Sequence, residues 1–249
     1  MVLFSATMVY HALLQPREPL LMIAALLLAP ALLAQAADAG AAPPERRSPG
    51  RSSVQAERLS ACEALAKTAP DQAYEAGRSW VAESPVIEAR YCLAAAAYAV
   101  GRPQLAAEQF AEVARGLAGR PKEEQALAQT DAGNAWLLAG DPARALEAFQ
   151  NALAFNPEDP QLRIDRARAY AYQSDWRRAE EDLNAAIDAL GPTALTLTLR
   201  AETRLQQGAA VLAVQDAEEA LKLAKTEPEM VEALLVRGRS IQARDQQAQ

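Results

Sequence analysis

Paired carboxylates are the residues of this sequence whose type and spacing could do chemistry. Glutamates form four close pairs: Glu108 with Glu112, Glu123 with Glu124, Glu180 with Glu181, and Glu218 with Glu219. Two carboxylates placed on either side of a sugar linkage can hydrolyse it. In a helical chain, however, carboxylates at such spacings usually lie on a solvated outer face. We therefore expect a charged surface here and not a catalytic pair.

Other catalytic residues and motifs are scarce. The single histidine, His11, lies near the N-terminus, upstream of the mature protein that the leader described below predicts. Without it, Ser/His and Cys/His nucleophile pairs and His-containing metal sites are excluded. The sequence also has no Gly-rich phosphate loop, no G-x-S-x-G and no H-E-x-x-H motif. We predict that the protein is not an enzyme and holds no cofactor or metal.

The first 36 residues are typical of a secretory signal peptide. Residues Leu20 to Ala34 form an apolar run broken only by Pro30, and Ala34-Gln35-Ala36 is a small-x-small cleavage pattern. The run is shorter than the ~20 residues that a membrane-spanning helix needs. We expect cleavage after Ala36 and export to the periplasm. The alternative is an uncleaved leader that anchors the protein to the membrane, facing the periplasm.

Charge and composition narrow the partners and the fold. Residues 37–57 are predicted to be a disordered linker, since Pro and Gly are scattered there among Ala, Arg and Ser. The net charge of −7 disfavours phosphate backbones and anionic lipids, so nucleic acid is not an expected partner and membrane contact is expected only through the leader. The apolar fraction is mostly Ala and Leu, which favours closely packed helices.

Small residues recur along the chain with a period of 34. Three series show the period: Gly133, Ala167 and Ala201; Ala145, Ala179 and Ala213; and Ala152, Ala186 and Ala220. A turn position (Gly140, Ser174, Gly208), an aromatic position (Trp136, Tyr170) and a bulky apolar position (Phe149, Leu183) fall between them. Two antiparallel helices approach closely only where one presents a small residue and the other fills the gap. The period therefore predicts stacked helix pairs.

The segment 131–157 resembles a tetratricopeptide repeat. The family's small, aromatic, small, aromatic, small and proline positions are occupied by Gly133, Trp136, Ala145, Phe149, Ala152 and Pro157. The repeat that begins at residue 194 departs from the pattern, with Arg204 where an aromatic residue is usual, and Gly238 takes the small position of a closing helix after a three-residue insertion. The resemblance implies an all-α, right-handed superhelical solenoid of antiparallel helix pairs. Its units are expected at about 59–86, 87–118, 126–159, 160–193 and 194–227, followed by a closing helix at 230–244.

The resemblance also implies a function and a set of binding residues. Proteins of this family bind a protein or peptide in a groove lined by the first helix of each pair. The groove positions carried over to this sequence are Tyr91, Tyr98, Asn134, Leu137, Leu138, Arg168, Tyr172, Glu202 and Leu205. The tyrosines could instead pack against their own scaffold. Asn134 matches the family's two-carboxylate clamp, but Thr130 stands where that clamp has a lysine, so a chaperone-tail ligand is not predicted.

Cys62 and Cys92 fall on the first helices of adjacent predicted units, which would place them near each other. Two cysteines in an exported protein can form a disulfide, whereas two sulfurs without a histidine make a poor metal site. The alternative is a pair of buried, reduced thiols. The sequence thus predicts a non-enzymatic scaffold, with an accessory helical domain of a cell-wall hydrolase as the alternative, and leaves the oligomeric state open.

Overall fold

The computed structural model describes residues 53–248 of the chain. Within that range every regular element is an α-helix, which confirms the predicted all-α fold. The eleven helices are α1 (Ser53–Thr68), α2 (Pro70–Glu83), α3 (Ile87–Ala99), α4 (Pro103–Gly116), α5 (Lys122–Leu138), α6 (Pro142–Phe155), α7 (Pro160–Tyr172), α8 (Trp176–Leu190), α9 (Ala194–Gln206), α10 (Ala210–Leu223) and α11 (Glu227–Gln247).

Helix starts follow from prolines and capping side chains. Pro103, Pro142 and Pro160 each stand in the first turn of their helix, where the missing N–H costs no intrahelical hydrogen bond. The carboxylates of Asp141 and Asp159 accept backbone N–H groups of the first turn of α6 and α7. These local signals divide the apolar chain into short helices of similar length.

The turn between the two helices of the α5–α6, α7–α8 and α9–α10 pairs contains a left-handed residue. Gly140 and Gly208 have φ of +76° and +81°, and Ser174, at the equivalent position, has φ of +60°. Glycine adopts this conformation without steric strain, whereas for serine the strain carries a small cost in free energy. The common backbone conformation explains why the sequence period places a glycine or serine here.

Helix bounds differ from the sequence-based expectation at α1, α5 and α11. Helix α5 begins at Lys122, before the expected residue 126, and α11 ends at Gln247, after the expected residue 244. Helix α1 begins at Ser53, so residues 53–57 are helical and do not belong to the expected linker. No Gly or Pro interrupts the chain between Gly50 and Pro70, which lets the helix extend toward the N-terminus. The closing helix begins at Glu227, because Thr226 and Glu229 form a capping box ahead of the expected start at residue 230.

The described residues divide into two compact units, residues 53–118 and 119–248. In the first unit, α1 packs against α2 and α3, and α3 packs against α4. The α2–α3 approach is close, since a β-carbon on Gly77 would lie 2.9 Å from the backbone of Leu93. This tight packing positions α3, which carries Tyr91 and Tyr98.

In the second unit, the recurrent small residues form the contact between the two helices of each pair. Ala167 is 1% exposed and packs in a cluster with Tyr170 and Leu183. Ala201 packs with Ala217 and with Val236 of the closing helix. Burial of these positions at equivalent depths is what the 34-residue period predicts.

The predicted leader (residues 1–36), His11 and the linker up to residue 52 lie outside the described residues. Among residues 53–248, no helix has both the length and the apolar character that crossing a membrane requires.

Candidate functional site

The first helices of the second unit lie side by side. Helix α7 contacts α5 on one side and α9 on the other, and α9 contacts α11. We call the surface that these four helices share the first-helix face. Seven of the predicted groove residues lie on three of these helices, α5, α7 and α9: Asn134, Leu137, Leu138, Arg168, Tyr172, Glu202 and Leu205. The other two, Tyr91 and Tyr98, lie on α3 of the first unit.

The predicted residues of the first-helix face differ in exposure. Leu138 is 44% exposed, although it is a large apolar side chain at the end of α5. Tyr172, one period later, is half-buried and keeps part of its ring accessible. Leu137 is only 6% exposed, which places it in the core of its helix pair. Leu138 and Tyr172 are therefore the apolar side chains of this set best placed to contact a ligand.

Glu202 already has a partner inside the protein. Arg239 of α11 donates to both carboxylate oxygens of Glu202, with a distance of 3.0 Å to Oε1, and Gln206 donates to Oε1 as well. Glu202 is buried, while the Arg239 side chain is 40% exposed. The bidentate pair joins α9 to α11, so Glu202 holds this part of the face together.

Arg168 is the most accessible cation on α7 of the first-helix face. Its Nη1 lies 3.4 Å from Oδ1 of Asp165, a long contact, and its side chain is 35% exposed. Burial raises the pKa of Asp165 above its ordinary value, and the nearby Arg168 guanidinium opposes this shift. Because the Arg168 guanidinium makes only this one long contact with the described residues, its N–H groups can donate to a carboxylate of a ligand.

The tyrosines of α3 are partly built into the first unit. Tyr91 packs edge-to-face against Phe110 of α4, with ring centroids 5.4 Å apart. This contact corresponds to the alternative in which a tyrosine packs against its own scaffold. Tyr98 is half-buried near the end of the same helix.

Two buried ion pairs, each joining the two helices of one pair, were not predicted from the sequence. Arg166 of α7 donates from Nε and Nη2 to both oxygens of Asp182 on α8, each at 2.7 Å. One period later, Arg200 of α9 makes the same fork to Asp216 of α10, at 2.9 and 2.7 Å. An Arg and an Asp 16 residues apart, repeated after 34 residues, is the sequence signal that could have revealed these forks.

Arg204, which departs from the family pattern, belongs to the same ionic network. Its guanidinium donates to Asp216 at 2.8 Å and to Glu180 at 2.7 Å. Burial raises the pKa of Glu180, but hydrogen bonds from Arg204 and Gln207 outweigh it, so the net pKa is lowered. Two repeats before Arg204, the same position is occupied by Trp136. The guanidinium of Arg144 covers its ring, and the distance from Cζ to the ring centroid is 3.5 Å.

The glutamate pairs that could have been catalytic are bound to neighbouring side chains. Contacts with cationic partners join Glu112 to Arg115, Glu124 to Arg120, Glu181 to Arg177, Glu218 to Arg237, and Glu219 to Lys222. Glu108 accepts a hydrogen bond from Gln104. Within residues 53–248 no cluster of three or more His, Cys, Asp or Glu side chains is arranged to hold a metal ion.

Cys62 and Cys92 are joined by a disulfide in the structure, with Cα atoms 5.8 Å apart. The bond links α1 to α3, the first helices of consecutive pairs in the first unit. Both residues are buried, at 6% and 1% exposure. The disulfide therefore fixes the packing of two adjacent pairs from inside the core.

Comparison with known proteins identifies the fold. No protein-family model and no curated protein matches the sequence. A solved structure of MamA (residues 41 to the end) from Desulfovibrio magneticus RS-1 is similar, with a TM-score of 0.60 at 15% identity, covering 70% of this chain and 97% of that one. YrrB, described as a TPR protein with an unusual peptide-binding site, has a TM-score of 0.59 at 14% identity, covering 73% and 90%. MamA AMB-1 has a TM-score of 0.54 at 17% identity, covering 72% and 97%.

These likenesses, together with the buried 34-residue series, define the class: the chain has the tetratricopeptide-repeat fold.

Proposed function

We propose that the protein is a non-enzymatic scaffold that binds a segment of a partner protein on the first-helix face. The fold supports this proposal, because helix-pair stacks present extended binding surfaces. The similarity to YrrB, a TPR protein described as having a peptide-binding site, is consistent with it. The ligand is an extended or helical peptide that crosses α5, α7 and α9.

The observation that carries the proposal is the exposed apolar area at the ends of α5 and α7. Leu138 and Tyr172 occupy equivalent positions of consecutive repeats, and neither is fully covered. Arg168 lies on the same helix as Tyr172 with its guanidinium loosely held. Tyrosine and arginine are enriched at binding hot spots, and Leu138 adds an exposed apolar side chain one repeat earlier.

We place this scaffold in the bacterial envelope. The apolar run and cleavage pattern of residues 20–36 support export, and a disulfide between Cys62 and Cys92 is the kind of bond that persists in an oxidising compartment. Mass spectrometry of the mature N-terminus tests this placement. A chain that begins at Ala37 supports a released periplasmic protein, whereas an intact leader supports the membrane-anchored alternative.

Site-specific photo-crosslinking in the native cell tests the binding proposal. A photoreactive residue at position 138 should capture a partner, and a purified partner should bind Leu138→Ser or Tyr172→Ala at least about tenfold more weakly than the wild-type protein. The matched control is Leu190→Ser, because Leu190 is 57% exposed but lies at the end of α8, a second helix. Equal binding by all three variants and the wild-type protein would place the partner on another surface.

A further inference from the structure

Helix α11 has the register of a first helix, yet no helix follows it in the part of the chain that the structure describes. Allowing for the three-residue insertion, Arg237-Gly238 takes the place of Arg166-Ala167 and Arg200-Ala201. In the two earlier pairs these residues contact the second helix of the same pair. The equivalent surface of α11 can therefore be compared with them position by position.

The small residue of α11 faces open space. In the α5–α6 pair, a β-carbon on Gly133 would lie 2.6 Å from the ring of Phe149, so α6 fills the gap at Gly133 completely. A β-carbon on Gly238 would meet no atom within 4 Å. The gap that Phe149 fills in the α5–α6 pair and Leu183 fills in the α7–α8 pair is empty in α11.

The apolar side chains around this gap are exposed. Leu197 of α9 is 2% exposed and packs against Ala220 of α10. Leu234, at the equivalent position of α11, is 48% exposed, and Met230, one turn earlier, is 47% exposed. An apolar stripe of this kind on a surface helix marks an interaction site.

The arginine of α11 lacks the partner that its equivalents have. Arg166 and Arg200 each make a two-pronged fork to a buried Asp of the following helix. Arg237 makes a single 3.4 Å contact with Glu218, and both side chains are well exposed, at 39% and 49%. Its guanidinium therefore retains donors for another carboxylate.

We propose that this surface, the α11 outer face (Met230, Leu234, Arg237 and Gly238), docks an amphipathic helix of a partner protein in the position that the second helix takes in the earlier pairs. The partner helix carries a carboxylate that pairs with Arg237, followed at once by a bulky apolar residue that fills the gap at Gly238. Asp182-Leu183 of α8 shows this arrangement against Arg166 and Ala167.

A second copy of this chain fits the face less well than another protein. Helix α8, which has the matching pattern, and α10, which has the carboxylate alone, already bury Asp182 and Asp216 against their own first helices. Releasing either helix would leave a buried arginine without its partner. We therefore assign the occupant to a different protein.

A peptide with the sequence of residues 174–191 is a suitable probe, because it carries Asp182 and Leu183 on one helix with its own capping residues. Binding of the fluorescein-labelled peptide to the full chain is followed by fluorescence anisotropy. We expect saturable binding that weakens at least about tenfold in Arg237→Ala and in Gly238→Gln. The peptide with Asp182→Asn should bind the wild-type protein equally weakly, but should lose nothing further on Arg237→Ala.

Arg244→Ala is the matched control, since Arg244 pairs with Asp245 near the end of the same helix. Circular dichroism checks that each variant keeps the wild-type helix content. Absence of saturable binding overturns the proposal, and so does binding by Arg237→Ala and Gly238→Gln that is as tight as binding by the wild-type protein. Sedimentation that shows a dimer, removed by Gly238→Gln, overturns it in favour of self-association.

Discussion

The ring of Phe149 occupies the space that a β-carbon on Gly133 would need, with three ring carbons 2.6–2.8 Å from that position. Phe149 is fully buried, so the ring has little room to move. We expect Gly133→Ala to destabilise the protein by about 1–2 kcal/mol, since overpacking outweighs the better helix propensity of Ala. Urea unfolding followed by circular dichroism measures the change.

Gly238→Ala is the matched control for this prediction. The added methyl group meets open space, and Ala favours the helix, so we expect a gain of about 0.5–1 kcal/mol. Adding Phe149→Leu to Gly133→Ala should recover part of the loss, because Ala167 and Leu183 already pack in this way in the next pair. A neutral effect of Gly133→Ala would contradict the close approach of α5 and α6.

The fork between Arg200 and Asp216 should contribute to the stability of the second unit. Asp216→Ala leaves the guanidinium of Arg200, 17% exposed, without its main partner, so we expect a loss of about 3 kcal/mol. The exposed pair of Arg177 and Glu181 is the control, and Glu181→Ala should cost less than about 1 kcal/mol. Similar losses for the two variants would show that burial adds nothing to the fork.

The raised pKa of Asp165 gives a prediction for the pH dependence of stability. Burial favours the neutral carboxyl in the folded state, so its contribution is greatest below its ordinary pKa and declines as the pH rises through the native pKa. Asp165→Asn removes this titration. The variant should therefore gain stability relative to the wild-type protein as the pH rises above about 4, the ordinary pKa of aspartate. Urea midpoints across this rise in pH measure the difference, and a constant difference would contradict the raised pKa.

Glu229 should show the opposite dependence. Backbone N–H groups of Lys225 and Thr226 donate to its carboxylate and lower its pKa. The stabilising contribution is present above the ordinary pKa of glutamate and is lost as the pH falls through the native value. Glu229→Gln should therefore lose stability at neutral pH, and the loss should vanish in acid. A loss that persists unchanged in acid would show that the charge is not what matters.

The disulfide should stabilise the first unit by restricting the unfolded chain. Cys62 and Cys92 are 30 residues apart, and a bond that closes a loop of this length contributes about 2–4 kcal/mol. We expect faster hydrogen exchange of α1 and α3 amides in the Cys62→Ala, Cys92→Ala double variant. A reducing agent should leave this variant unchanged, and unaltered exchange in α1 would indicate that packing alone holds it.

The sequence predicts the helix pairs well because packing constraints repeat with the period. A small residue such as Ala167 has to be small for the same reason at each repeat, and Ser174 marks a turn because the backbone there is left-handed. The ends of α1 and α11 are harder to predict. The insertion shifts α11 out of the 34-residue period, and capping by Thr226 decides where α11 begins.

The side chains of the candidate site are less predictable than the fold. Matching Glu202 to the groove position of the repeat family predicts that its side chain is available to a ligand. Its partner in the structure, Arg239, lies 37 residues away, beyond the insertion, so the repeat pattern does not indicate this ion pair. Arg204 looks like a loss of the aromatic residue when the sequence is viewed alone. Only the structure shows that its guanidinium replaces ring packing with ion pairs to α8 and α10.

The contacts of Arg200 and Arg204 also affect how the repeats can be rearranged. Both arginines reach back to α8, through Asn184 and Glu180, while holding Asp216 on α10. We therefore expect the two repeats 160–193 and 194–227 to be gained or lost together. Deleting either one would leave buried charged side chains of the other without their partners. The preceding boundary is closed by apolar contacts of Ala152, Leu153 and Leu162. Gain or loss of repeats, in evolution or by recombination in the laboratory, is better tolerated at that boundary.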